Sequence, residues 1–317
     1  MFAAPAATAA PVSVTTFPVP TPAAGPSGVA ATADGNVWFT EAAAGKIGRL
    51  GPSGQVTEFK LPSKNSRPAA IVAGPDGNLW FTEANDTKVG RITPAGAIAE
   101  FAVPSATPPD PSSPGDLRGP ADITAGPDGA LWFTEPAQSK LGRVTTAGAV
   151  SEMGLPAGSR PTGIATGSDG NLWVTLKGPT WVARVTPAGG LTAFTAQPPL
   201  PGAIAAGPDG NLYFPDNGAG EMVRMTTAGA MTRLPLPTPP SGQDPEVVDL
   251  TAGGDGNVWF SDENDDVVGR LTPAGTVTYF PLFAAGPRGI AAGPAGTISF
   301  AEFQAGAIGR LPIDLRD

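Results

Sequence analysis

An all-β fold, a seven-bladed β-propeller of four-stranded antiparallel blades, is predicted by three features of this 317-residue sequence. Its 43 Gly and 38 Pro make about a quarter of the chain hostile to helix interiors. One unit recurs seven times at a period of about 40 residues. The last copy lacks a strand that the N-terminus carries. Disorder is excluded, because 41% of residues are apolar and fall in short, regular runs.

The repeat is anchored by D-G-N-[VL]-W-F-[TS], with its aspartate at Asp34, Asp76, Asp128, Asp169, Asp209 and Asp255 and a decayed copy at Ala295-Gly296. The aromatic position reads Trp38, Trp80, Trp132, Trp173, Tyr213 and Trp259, then Ser299. Arg49, Arg91, Arg143, Arg184, Arg224, Arg270 and Arg310 follow, the first six each before a turn of the T-P-A-G type. In the second copy, strands are expected over 69–73, 78–82, 88–92 and 97–103. Asp76-Gly77 is read as a hairpin turn whose two central residues accept positive φ. Four short strands per repeat is the pattern of a propeller blade. The repeated tryptophans and aspartates are therefore core and turn chemistry, and the repeat arginines bridge blades, since stacked units reuse the same contacts.

The final copy ends without an equivalent of VTEFKL (residues 56–61), whereas VTTFPV (residues 14–19) matches it. The N-terminal strand is expected to complete the last blade and close the ring, leaving no open edge. Residues 1–13 read as a flexible Ala/Pro-rich segment and 14–317 as a single propeller. That segment has the composition of a signal remnant or surface tether, which points to a secreted, periplasmic or cell-surface protein.

The chain has no Cys and no His, so triad hydrolysis and zinc-thiolate sites are excluded. A net charge of −9 opposes nucleic-acid binding. No apolar run approaches the ~20 residues of a membrane span. A monomer that neither binds nucleic acid nor inserts in a membrane is expected.

In GPDGNLWFTE (residues 74–83) and KVGRITPAG (residues 88–96) the chain resembles the streptogramin B lyase family, over residues 14–313. The resemblance implies a seven-bladed propeller and magnesium-assisted opening of a depsipeptide lactone by elimination. It places the family's two catalytic histidines at Val248 and Arg288, and one metal-binding glutamate at Gly286. The second metal-binding glutamate falls at Glu302, or one residue on at Phe303. At most one of four functional positions is kept, so the histidine-dependent mechanism is expected to be absent.

Propeller connectivity places Ser27, Ala69, Ala121, Thr162, Gly202, Val248 and Arg288 around the axis of one face, here called the upper face. Arg288 reads either as a clamp for a carboxylate or carbonyl or as the partner of a neighbouring acid. The acids after the aromatic strand, Glu41, Glu83 and Glu135, are expected to pair at the rim with Lys46, Lys88 and Lys140. Residues 178–317 carry seven arginines and no lysine against fourteen acids. Their densest run, Asp262, Glu263, Asp265 and Asp266, lies near Asp244, Glu246 and Asp249. Oxygen donors of this kind suit Mg²⁺ or Ca²⁺, which nominates Glu302, Asp262, Glu263 and Asp216 as metal ligands; the alternative is a solvated acidic loop. Trp181, beside Lys177, reads as a stacking platform or as packing between blades.

Two functions follow. The first is a binding protein that takes a small molecule, glycan or protein on its upper face, through Arg288, Trp181, Asp249, Asp122 and Lys177. The second is a metal-assisted lyase or lactonase whose base is a carboxylate such as Asp249, Asp122 or Glu302, its pKa raised by burial or like charge.

Overall fold

A computed structural model describes residues 8–9, 13–106, 118–178, 182–194, 202–293 and 296–313. Seven antiparallel four-stranded sheets form a ring, a seven-bladed propeller with no helix among the described residues. Blade two illustrates the unit: Pro68–Ala73 lies innermost, followed outward by Leu79–Glu83, Lys88–Ile92 and Ile98–Ala102. The second strand of every blade is buried on both faces, and its alternate side chains reach opposite neighbours. Trp38 of blade one packs with Phe81 of blade two, and Trp259 of blade six with Phe300 of blade seven. The core is thus a series of interblade seams.

The ring closes as the chain ends predict. Thr15–Pro18 pairs antiparallel with Ala307–Pro312, with Thr16 opposite Gly309 and Phe17 opposite Ile308. Thr8–Ala9 adds a short parallel strand beside Val277–Pro281 of blade six.

The turns differ from the two-residue hairpin expected. Gly77 N–H donates to Gly74 O (3.2 Å) and Gly74 N–H to Asn78 O (2.7 Å), so the loop has three residues. Only the glycine takes positive φ, at 76°; such loops are a type I turn followed by a left-handed residue. Asp76 is present for its carboxylate, which accepts from Asn78 N–H (3.2 Å) and Trp80 Nε1 (3.1 Å). Arg49, Arg91 and Arg224 donate to Pro94 O, Thr146 O and Pro273 O in the turn of the following blade. They bridge blades, as expected.

Candidate functional site

The seven axial residues read from the sequence all line one funnel of about 780 Å³ on the propeller axis. Their backbone is irregular for a reason. The inner strands shift register between Pro26 and Val29, Pro68 and Ile71, Pro161 and Ile164, Val247 and Asp249, and Pro287 and Ile290. The shift frees amides and carbonyls that must find other partners. The hydroxyl ending the W-F-[TS] motif supplies them. Thr82 Oγ1 accepts from Ala70 N–H (3.1 Å) and donates to Ala121 O in the next blade (2.8 Å). Thr40, Thr134 and Thr175 repeat the bridge, and Ser261 reaches Arg288 O. Sequence reasoning missed these residues, although their recurrence after every Trp-Phe pair was visible.

Two acids sit one residue beyond the axial ring, where the other blades have Gly or Ala. Asp122 accepts from its neighbour Ile123 N–H (2.8 Å) and from Ile164 N–H of blade four (2.8 Å). Asp249 does the same with Leu250 N–H (2.8 Å) and Ile290 N–H of blade seven (3.0 Å). Both line the funnel. Burial raises Asp122 to about 6 and Asp249 to about 7, the latter helped by repulsion from Asp122, against the lowering effect of those amides.

At the mouth, Arg288 makes a forked ion pair with Glu263, with Nη2–Oε1 at 2.8 Å and Nε–Oε2 at 2.9 Å. Its guanidinium carbon lies 3.5 Å from the centre of the Phe303 ring. One face and one edge of the cation are therefore occupied. The loop before it is held by Asp266, whose carboxylate accepts from Ala285 N–H (3.0 Å) and Gly286 N–H (2.7 Å). That loop carries Phe283, 95% exposed, the most exposed large apolar side chain among the described residues.

The nominated metal ligands do not converge. Asp216 pairs with Arg233 (2.9 Å), and buried Glu302 accepts from Thr16 Oγ1 of the closing strand (3.2 Å). Asp262 accepts from Glu246 N–H and Asp265 N–H, while burial, with the nearby Asp265 charge, pushes its carboxyl up. Glu263 is taken by Arg288. Among the described residues no three Asp or Glu come together to hold an ion.

The position two residues before the second histidine slot holds glycine, so it offers no carboxylate either. Gly286 has φ 56°, and a Cβ there would lie 2.6 Å from Gln304 Cγ. These residues do not fit a magnesium centre of the kind the resemblance implies. Trp181 lies outside the described residues, while Lys177 lines a small cavity beside the funnel.

The rim ion pairs take different partners from those expected. Lys46, Lys88 and Lys140 bind the outer-strand Glu58, Glu100 and Glu152 at 2.7, 3.0 and 3.1 Å. Glu41, Glu83 and Glu135 are instead fully buried. Burying a complete ion pair costs more than its attraction returns, so each lysine settles on the wetter carboxylate.

The virginiamycin B lyase family matches residues 6–115 and 112–311. The chain belongs to that family. It is 32% identical to virginiamycin B lyase from Staphylococcus aureus, covering 95% of this chain and 99% of that one with a TM-score of 0.84. A catalytically inactive histidine-to-alanine variant of the S. aureus lyase, solved with quinupristin, matches with the same identity, coverage and TM-score. A gluconolactonase from Xanthomonas campestris, 14% identical over 95% of this chain and 89% of its own, shares the fold with a TM-score of 0.57. No curated protein matches the sequence. Within the virginiamycin B lyase family, this member contains no histidine at any position.

Proposed function

We propose that this chain is a ligand-binding propeller of the virginiamycin B lyase family that does not perform the histidine-dependent elimination. One observation carries the reading: Val248 and Arg288 occupy the slots the resemblance gives to histidines, and Arg288 is already engaged by Glu263 and Phe303. In the S. aureus relative, a single histidine-to-alanine change accompanies the catalytically inactive form. The funnel, at about 780 Å³, has the size of sites that enclose small molecules rather than protein surfaces. Its small side chains let a ligand approach closely, and the carboxyls of Asp122 and Asp249 favour guests rich in hydroxyl or amide donors. A peptide-like or glycosidic small molecule fits that chemistry.

The test uses quinupristin with and without Mg²⁺, followed by mass spectrometry and a calorimetric titration. The expected result is an intact macrocycle at every time point. Any binding is expected to weaken at least tenfold in Gly202→Trp, which fills the funnel from blade five. Linearisation at rates that depend on Mg²⁺ would overturn the reading.

A second reading, a lactonase or carbon–oxygen lyase with a carboxylate base, is favoured by the funnel carboxyls raised to about 6 and 7. General bases work best when their pKa lies near the working pH. Lactone turnover that falls about a hundredfold in Asp249→Asn would establish it. Absence of turnover on a lactone panel leaves the binding reading alone.

A further inference from the structure

We infer that the cavity where blades two, three and four meet, beside the funnel, is a subsite for a small aliphatic carboxylate. It serves the carboxylate-bearing end of whatever ligand lies in the funnel, so it builds on the binding reading above. The cavity measures about 270 Å³, and its walls include Ala69, Ala84, Ala121 and Pro136. Two cations enter it, Arg160 and Lys177. It shares Ala69 and Ala121 with the funnel, so one ligand can occupy both.

Two observations point to an anion, and a third supplies the test. First, Arg160 and Lys177 are exposed, and among the described residues neither side chain has an acidic partner. Lys140 and Arg143 in the adjoining blade are both paired. Second, the two residues are neighbours, because Lys177 backbone N–H donates to Arg160 backbone O (3.1 Å), and both line the same cavity. Like charges held together without a counter-charge favour an anion between them.

Third, Arg160 sits at φ 48°. The corresponding residues of blades one and seven are Gly25 (φ 64°) and Gly286 (φ 56°). Left-handed backbone is unfavourable for any residue with a Cβ. Arg67 of blade two has the same strained backbone (φ 49°) outside the cavity, so the strain supplies a clean variant for the test and does not itself mark the site. The apolar walls then select within anions, favouring a short hydrocarbon carrying a carboxylate over a bare oxyanion.

The third observation makes the test unusually clean, because Arg160→Gly removes the cation and the strain together. Sodium butyrate, inorganic phosphate and butanamide would each be titrated into the full chain with ¹³C-labelled lysine, following the Lys177 Cε resonance. Butyrate is expected to bind, with phosphate and butanamide at least fivefold weaker. Arg160→Gly and Lys177→Gln are each expected to weaken butyrate at least fivefold, a modest allowance for an exposed charge-assisted contact. Arg160→Gly should meanwhile raise Tm by about 2 °C, which rules out misfolding as the cause.

Arg67→Gly serves as the control. Arg67 has the same left-handed backbone (φ 49°) in blade two but lies outside this cavity. It should leave butyrate binding unchanged. Butyrate binding that is absent, or indifferent to both substitutions, overturns the subsite, as does phosphate binding as tight as butyrate. Gly202→Trp separates the two proposals. It blocks the funnel, yet butyrate binding should survive it, so either reading can fail while the other stands.

Discussion

Removal of residues 1–20 is expected to lower Tm by more than about 10 °C, whereas removal of residues 1–12 should change it little. The larger deletion takes away the whole closing strand, Thr15–Pro18, and opens the edge of Ala307–Pro312. It also strips Val19 from the blade-seven and blade-one core, and Phe17 from its packing there. Phe17 covers Gly54 of blade one and lies under Arg310, whose guanidinium carbon is 5.2 Å from its ring centre. Burial of each of these two side chains is worth about 1.5–3 kcal/mol, and each lost ladder hydrogen bond about 1 kcal/mol. Their sum approaches the entire net stability of an ordinary domain. Differential scanning calorimetry of the two truncations decides the matter. Equal melting temperatures would show that the ring does not depend on this strand.

That closure was legible because a repeat makes an omission visible: six copies have an outer strand in sequence order, and the seventh does not. The blades were legible for the same reason, since every Asp-Gly, Trp-Phe and Arg recurs in phase. What repetition hides is the difference between a motif residue that packs and one that bonds across a seam. Thr82 passed as an ordinary strand former, yet its hydroxyl joins two inner strands. The turn aspartates were assigned to the right loops with the wrong backbone, because Asp-Gly also suits a three-residue loop.

The lysine partners were misread for another reason. Lys46 stands opposite Glu41 in register, and pairing rules stop there. Desolvation, which the sequence does not display, sends the ammonium group to Glu58. By sequence Arg288 suits a ligand or a neighbouring acid equally, and only the distance to Glu263 shows the neighbour holding it.

Those displaced glutamates lead to the second large effect. Thermal stability is expected to peak near pH 4–5 and to fall steadily toward pH 8. Burial, reinforced by Glu58, raises Glu41 to about 8 despite Lys46. Burial with Glu100 raises Glu83 to about 8, and burial with Glu152 raises Glu135 to about 7. In the unfolded chain these carboxyls return to the ordinary 4.5. Between 4.5 and about 8 the folded protein therefore holds protons that the unfolded chain has released. Stability then decreases as pH rises, because the unfolded state binds fewer protons. Asp122 and Asp249 act in the same direction.

The acid limb has the opposite sign. Burial raises Asp76, but hydrogen bonds from Asn78 and Trp80 more than offset it and leave the carboxyl below 3.8. Asp169 and Asp209 behave alike, so their contribution is lost as pH falls through that range. One unit of pKa shift is worth about 1.4 kcal/mol, and about 1 kcal/mol moves Tm of a domain this size by roughly 2 °C. Several degrees should therefore separate pH 5 from pH 8. The triple variant Glu41→Gln, Glu83→Gln and Glu135→Gln carries the neutral form permanently. It should match the parent at pH 5, exceed its Tm at pH 8, and flatten the slope between them. A Tm that climbs from pH 5 to pH 8, or a triple variant whose profile runs parallel to the parent, would show that these three buried carboxyls are ionised in the folded ring.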